Sequence, residues 1–217
     1  MGEHPNIKKV GINGSAKFSP DQNQKGLSEE IWIEHLPEKV AKIVDLGCGG
    51  NKLSPPRNGD IVLGVDHSHN DVIDVLCNLD AGLCLKDESV DAVFTQHCLE
   101  HLNDRDHIFH EIHRILKPGG VAFIKVPHFR GIQAENYDHL TRWASFSMNT
   151  FANAKWYSSN YPYFEIIKIG IKWRLNSGLI DKAVNWIINK SFTISETWLW
   201  YPLGGFFECQ YLIRKSA

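Results

Sequence analysis

The sequence predicts an α/β fold built on a mostly parallel sheet, and three observations predict it. Apolar runs of strand length alternate with helix-like segments from residue 42 onward. One of those runs, "KIVDLGCGGNKL" at residues 42–53, breaks into Gly47, Gly49 and Gly50 beside an acidic residue, which is how a strand end brings its backbone close to a ligand. No internal repeat or low-complexity tract replaces the alternation.

Each element can be justified in order. The chain has 217 residues with 43% hydrophobic content, enough for one globular domain, 1–217, with a real core. Residues 1–27 are polar and rich in Gly, Asn and Ser, and are expected to form an arm or a flap over a site. Ser28 can cap a short helix with Ile31, Trp32, His35 and Leu36 on one face, ended by Pro37. Strands are expected at 42–46, 61–66, 72–77, 90–95 and 121–126. Asn103 or Asp104 caps a helix whose Ile108, Phe109, Ile112, Ile115 and Leu116 form one stripe, and Pro118, Gly119 and Gly120 stop it. Parallel neighbours need a crossover of about a dozen residues, so the short link at 67–71 predicts a stunted third strand. Two later strands are expected at 164–173 and 206–213. Between them Leu179, Ile180, Ala183, Val184, Ile187 and Ile188 recur at helical spacing, a stripe that suits a cap or the contact of a homodimer. Asp181, Lys182 and Lys190 give it no basic face for a membrane. The aromatic segment "TWLWYPLGGFFE" is expected to be buried by core or by a subunit contact.

Composition excludes several classes of function. Lys and Arg number 23 against 25 Asp and Glu, so no general field attracts nucleic acid or an anionic membrane. The start lacks the apolar core of a signal peptide and no apolar run approaches the ~20 residues that span a bilayer, so a soluble cytoplasmic protein without stable membrane insertion is expected. Five cysteines without a C-x-x-C pair read as reduced thiols.

The glycine turn narrows the ligand. A dinucleotide fingerprint wants a small residue where Lys52 stands, and no G-K-[ST] follows for a P-loop. Asp45, two residues before Gly47, can accept from an ammonium, which suits a zwitterionic ligand better than a pyrophosphate. Asp66 ends the next strand, where an acidic residue can take both ribose hydroxyls. Asp80 in "NLDAG" is placed to accept from an exocyclic adenine amine.

Five segments, "VDLGCGG", "VLGVD", "NLDAG", "VDAVFTQHCLEHL" and "ILKPGGVAFIKVP", occur in order between residues 44 and 127. With them the sequence resembles the class I S-adenosylmethionine-dependent methyltransferases of the type 11 group. The resemblance implies a Rossmann-like, mostly parallel seven-stranded sheet with an antiparallel last strand. It implies a cofactor core at 42–127, substrate-side or cap segments at 128–163 and 174–205, and the latter inserted between the last two strands. It implies S-adenosylmethionine as cofactor, with Gly47, Cys48 and Gly49 against its methionine part and Asp45 behind its ammonium group. Asp66 would hold the ribose and Asp80 the adenine amine, with the Ala81 amide nearby. Gln96 and His97 would lie at the methionine end, and His67 stands where the family usually puts an apolar side chain against adenine. His97, Glu100 and His101 resemble acidic and histidine sets that bind divalent metals in some methyltransferases, but the same "LEHL" occurs widely without metal, so no metal is expected. Competing readings are a non-catalytic module that binds the cofactor and an NAD-dependent oxidoreductase.

The expected reaction is methyl transfer to a hydroxyl of a small-molecule or sugar-containing acceptor. An alcohol is a poor nucleophile until a base takes its proton, and histidine, with an ordinary pKa of about 6.5, suits that work. His128 in "KVPHF" is the first candidate and His139 in "NYDHL" the second, both past the fifth strand.

Overall fold

The computed structural model describes residues 31–152, 164–174 and 178–216; the expected arm at 1–27 and Ser28 lie outside them. Seven strands form one sheet: β1 (Lys42–Leu46), β2 (Ile61–Asp66), β3 (Val75–Leu76), β4 (Val90–Gln96), β5 (Leu116–Pro127), β6 (Phe164–Lys172) and β7 (Glu208–Lys215), in the order β3-β2-β1-β4-β5-β7-β6. The pairs from β3 through β5 are parallel, and β7 runs antiparallel to both β5 and β6. Only the last strand is therefore reversed. This is the mixed α/β sheet expected from the sequence.

Two crossovers are made without helices. No helix follows the glycine turn among residues 47–60, where Pro55 and Pro56 remove two backbone donors and disfavour helical φ/ψ before them. Arg57 pins this loop instead, donating to Asp60 at 3.0 Å and to the Pro37 carbonyl at 2.8 Å, while Asp60 accepts from the Ala41 amide at 2.9 Å. The third strand is shorter than the expected 72–77, pairing with β2 only at Val65↔Val75 and Asp66↔Leu76. Ahead of it Asp74 folds back, accepting from the Gly64 amide at 2.7 Å and from Lys52 at 2.8 Å. A side chain there occupies the ladder position that a longer strand would fill.

Between β4 and β5, α1 (Arg105–Ile115) begins where Asp104 accepts from the His107 amide at 2.9 Å. Its Ile108, Phe109, Ile112 and Ile115 are fully buried on one face of the sheet. Leu116 already belongs to β5, so the chain leaves the helix before Pro118, and the register slips between Val90↔Leu116 and Ala92↔Val121. The opposite face is closed by Trp32 and Leu36, with Trp32, Phe94 and Phe123 at ring-centroid separations of 6.0 Å from one another.

The insertion between β6 and β7 carries α2 (Leu179–Ile188) and a wide helical turn at Ser195–Leu199. β6 is an edge strand, and α2 covers its unpaired groups with amide side chains. Asn189 accepts from the Ile171 amide at 2.8 Å and donates to its carbonyl at 2.7 Å, and Asn185 accepts from the Trp173 amide at 2.7 Å. Ile188 is buried against Ile171 and Phe206, whereas Leu179 and Ile180 stay 85% and 74% exposed, so the expected cap packs by only part of its apolar stripe. In the aromatic segment Phe206 is buried and Trp198 and Tyr201 are exposed. No helix among the described residues is long and apolar enough to cross a membrane.

Phe109 and Trp32 anchor the two faces of the sheet. Phe109→Ala and Trp32→Ala are each expected to cost about 3–5 kcal/mol, measured by denaturant unfolding with an unchanged slope.

Candidate functional site

Because β1, β2, β4 and β5 are parallel, their carboxyl ends share one rim of the sheet, and the side chains singled out from the sequence gather there. After β1 the backbone turns through Gly47 at φ 69° and Gly49 at φ 52°, and the Gly47 amide donates to the Val65 carbonyl at 2.8 Å. Gly47 admits nothing larger, since a Cβ would fall 2.2 Å from the Cys98 sulfur. Gly49 donates to one oxygen of Asp66 at 2.8 Å and the Ser68 amide donates to the other at 2.8 Å. Burial alone would push the Asp66 carboxyl up, but these amides outweigh it and hold the group below the usual carboxylate range. Each oxygen keeps lone-pair capacity for a further donor such as a ribose hydroxyl.

Asp45 is 3% exposed and accepts from the Leu53 amide at 2.7 Å. Burial pushes its carboxyl up to about 6, against the Leu53 amide and the charge of Lys52, which lower it. Cys48 is buried and burial raises its thiol to about 11, which makes it a filler and no nucleophile. The His67 ring is 79% exposed, with Nδ1 3.3 Å from Asp66. Asp80 accepts from the Asn103 amide and side chain, each at 2.9 Å, tying the 79–81 turn to the entry of α1; the Ala81 amide donates to the Asn78 carbonyl at 3.0 Å.

Gln96 closes β4, and its side-chain oxygen lies 3.4 Å from Lys125 Nζ. His97 follows at φ 51°, a left-handed conformation uncommon outside glycine. Its Nε2 lies 3.2 Å from Glu208 and its Nδ1 3.5 Å from Glu100. Burial disfavours the charged ring, but the two glutamates prevail and raise its pKa to about 9, so it is an imidazolium at neutral pH. Glu208 is a partner that sequence reasoning missed; the available signal was a single acidic residue inside the apolar run "FFECQYLI". Phe207 packs edge-on to His97 with centroids 5.9 Å apart, and also lines a cleft of about 270 Å³ with Trp173, Arg174, Leu203 and Phe206.

The structure separates the two histidines expected to act as bases. His128 is fully buried, its Nε2 is 2.9 Å from Glu196 and its Nδ1 accepts from the Arg130 amide at 3.0 Å. With Nδ1 accepting, Nε2 carries the proton and donates to Glu196, which also accepts from the Ser145 amide and hydroxyl. His139 instead faces Glu100, with Nε2 4.0 Å from its carboxylate and a buried Nδ1 without a hydrogen bond. Glu100 is fully buried and neither of its oxygens accepts a hydrogen bond. Its oxygens and the ring nitrogens of His101 and His139 offer ligand atoms all within 4.8 Å of one another. The His97 ring 3.5 Å away is the charge partner of Glu100, whose unused hydrogen-bonding capacity suits a donor on a ligand or a bound cation. Nearby, the loop after β5 crosses the turn before β7 backbone to backbone: a Cβ on Gly131 would lie 2.1 Å from the Phe206 carbonyl oxygen, and one on Gly205 2.1 Å from that of Arg130.

Comparison with known proteins agrees with this geometry. A family model described as a methyltransferase domain matches residues 44–124. The ubiquinone biosynthesis O-methyltransferase of Pelagibacter ubique is 31% identical over 109 residues, 44% of this chain and 45% of that protein. The mitochondrial enzyme of the same name from Rattus norvegicus is 33% identical over 107 residues, 41% of this chain and 31% of that protein. The chain thus spans less than half the length of either relative. Among solved structures, the [4+2]-cyclase SpnF superposes with a TM-score of 0.57 at 17% identity, covering 88% of this chain and 80% of that one. A putative sarcosine dimethylglycine methyltransferase from Galdieria sulphuraria also gives 0.57, at 16% identity, covering 89% and 85%. These superpositions show that the chain shares the fold of the two solved structures. The methyltransferase-domain match falls on the residues that carry the glycine turn and the Asp66 tie.

Two outcomes follow from the turn. Gly47→Ala is expected to abolish cofactor binding by calorimetry, because the added methyl meets Cys98 in a left-handed backbone. Only the ionised Asp45 pairs with an ammonium, so affinity for S-adenosylhomocysteine is expected to be full above about pH 7 and to weaken through pH 6, about tenfold by pH 5. Asp45→Asn should bind weakly at every pH.

Proposed function

We propose that the protein transfers the methyl group of S-adenosylmethionine to a hydroxyl of a small-molecule or sugar-containing acceptor. The sulfonium already activates the methyl, so the protein's work is to align the acceptor, exclude water and receive a proton. Asp45, Asp66 and the glycine turn would hold the cofactor, and the Phe207 side of the cleft would receive the acceptor. The observation that carries the hydroxyl reading is the Glu100–His139 pair, a buried carboxylate without a hydrogen bond facing a ring nitrogen one contact from His97. In this reading His139 accepts the hydroxyl proton and Glu100 stabilises the imidazolium that forms. His128 takes second place, because both its nitrogens are engaged. The O-methyltransferase names of the curated relatives support oxygen as the methylated atom.

A second reading is favoured by the same residues: a divalent cation held by Glu100, His101 and His139 would bind the acceptor oxygen directly. Chelator treatment separates the two, because the proton-acceptor reading expects unchanged turnover and melting temperature, and the cation reading expects loss of both with recovery on adding magnesium, manganese or zinc.

The main test is a methyl-transfer screen with labelled cofactor across sugars, phenols and amines. His139→Ala is expected to lower turnover about 10²-fold or more with cofactor affinity nearly unchanged, whereas His128→Ala should act chiefly on stability. Binding without turnover on any acceptor class would favour a non-catalytic module. Thermal protection by NAD but not by S-adenosylmethionine would favour the oxidoreductase.

A further inference from the structure

Cys77 and Cys84 place their sulfurs 3.4 Å apart, although no motif in the sequence pairs them. Cys77 directly follows β3 and is buried, with its amide bound to the Asp66 carbonyl at 2.8 Å; Cys84 is exposed. Between them runs the turn that carries Asp80 and Ala81. The two thiols thus stand at the base of the segment where the cofactor's adenine is expected.

We propose that Cys77 and Cys84 are a reversible oxidation site, closed to a disulfide by a hydroperoxide, and that closing it weakens cofactor binding. The second half rests on the cofactor reading above. The exposed Cys84 thiolate attacks the peroxide, the O–O bond breaks, and a sulfenic acid and an alcohol or water form. The Cys77 sulfur then attacks the Cys84 sulfur and water leaves. Two thiols lose two electrons and two protons, and the peroxide takes them up. Burial raises the Cys77 thiol, which assigns the first attack to Cys84.

A disulfide is about 2.05 Å long, so the sulfurs must approach by about 1.4 Å. Cys77 is fixed by the Asp66 carbonyl, so the movement falls on the Cys84 side. There Leu83 donates to Glu111 at 2.6 Å and is buried. Oxidation also removes the bond that the Cys77 thiol makes to the Gly82 carbonyl at 3.1 Å. Both changes pull on the turn that Asp80 ties to Asn103.

The test treats the full chain with hydrogen peroxide, alkylates remaining thiols, and compares peptide masses with S-adenosylhomocysteine affinity by calorimetry. The expected result is a linked Cys77–Cys84 peptide lighter by two hydrogens, affinity at least about fivefold weaker, and reversal of both by dithiothreitol. Cys84→Ser should bind the cofactor product like the reduced protein and should ignore peroxide. Alkylation of both thiols after peroxide, or irreversible oxidation of Cys84 without a link, overturns the site. A link with unchanged affinity overturns the coupling. If the reduced protein binds no S-adenosylhomocysteine, the proposed function and the coupling fall together, and the peptide masses alone decide the oxidation site.

Discussion

The bond from the Gly49 amide to the Asp66 carboxylate is the constraint on which the rest of the site depends. It joins the loop leaving β1 to the last residue of β2, and the Gly47 amide reinforces it by bonding the Val65 carbonyl one residue earlier. The parallel register that pairs Leu46 with Val65 makes both bonds possible, because it brings the two strand ends level. With the turn tied down, Cys98 from beyond β4 can pack where Gly47 lacks a side chain, so three strand ends share one backbone surface. The same carboxylate orients the link to β3 through Ser68. The geometry of the turn and that of the sheet are in this sense a single arrangement.

How much of this was legible in the sequence differs by element for physical reasons. β1 and β2 stand at the residues their apolar runs mark, because buried parallel strands write continuous hydrophobic stretches. The helix before β5 was equally readable, since one stripe and one cap define it. The absence of a helix after the glycines was written in Pro55 and Pro56, but the alternating pattern hides it. β3 was overcounted because Val72 and Ile73 look like strand residues, while Asp74 closes the ladder with its side chain, a tertiary effect with no periodic signature. Asp45, Asp66 and Asp80 could be singled out because strand ends and turns mark their positions in the sequence. Glu208, Glu196 and Glu100 acquire their meaning from partners 40 or more residues away in most cases, such as the 68 residues between His128 and Glu196.

The interior polar groups fall into two kinds. His128, Glu196 and Ser145 satisfy one another, binding the end of β5 to the insertion in a closed set of hydrogen bonds. His97 and Glu208 form a compensated charge pair that joins the end of β4 to the start of β7; burial would raise the Glu208 carboxyl, but the imidazolium and Lys125 outweigh it and hold it below the usual range. Glu100 faces the same His97 ring at 3.5 Å and His139 at 4.0 Å, without a hydrogen bond to either of its oxygens. A buried carboxylate between two histidines that leaves its hydrogen-bonding capacity unused is where chemistry is to be sought.

The crossing of Gly131 and Gly205 bears on how the insertion relates to the sheet. Two carbonyl oxygens occupy the space that side chains would take, so the path of the chain is settled at that point by backbone volume alone. The return of the insertion is set at that crossing, while Glu196 and Asn189 tie the rest of it to His128 and to β6 by side chains. The insertion is thus held to the sheet at separate points, one set by the shape of the backbone and the others by the identity of side chains.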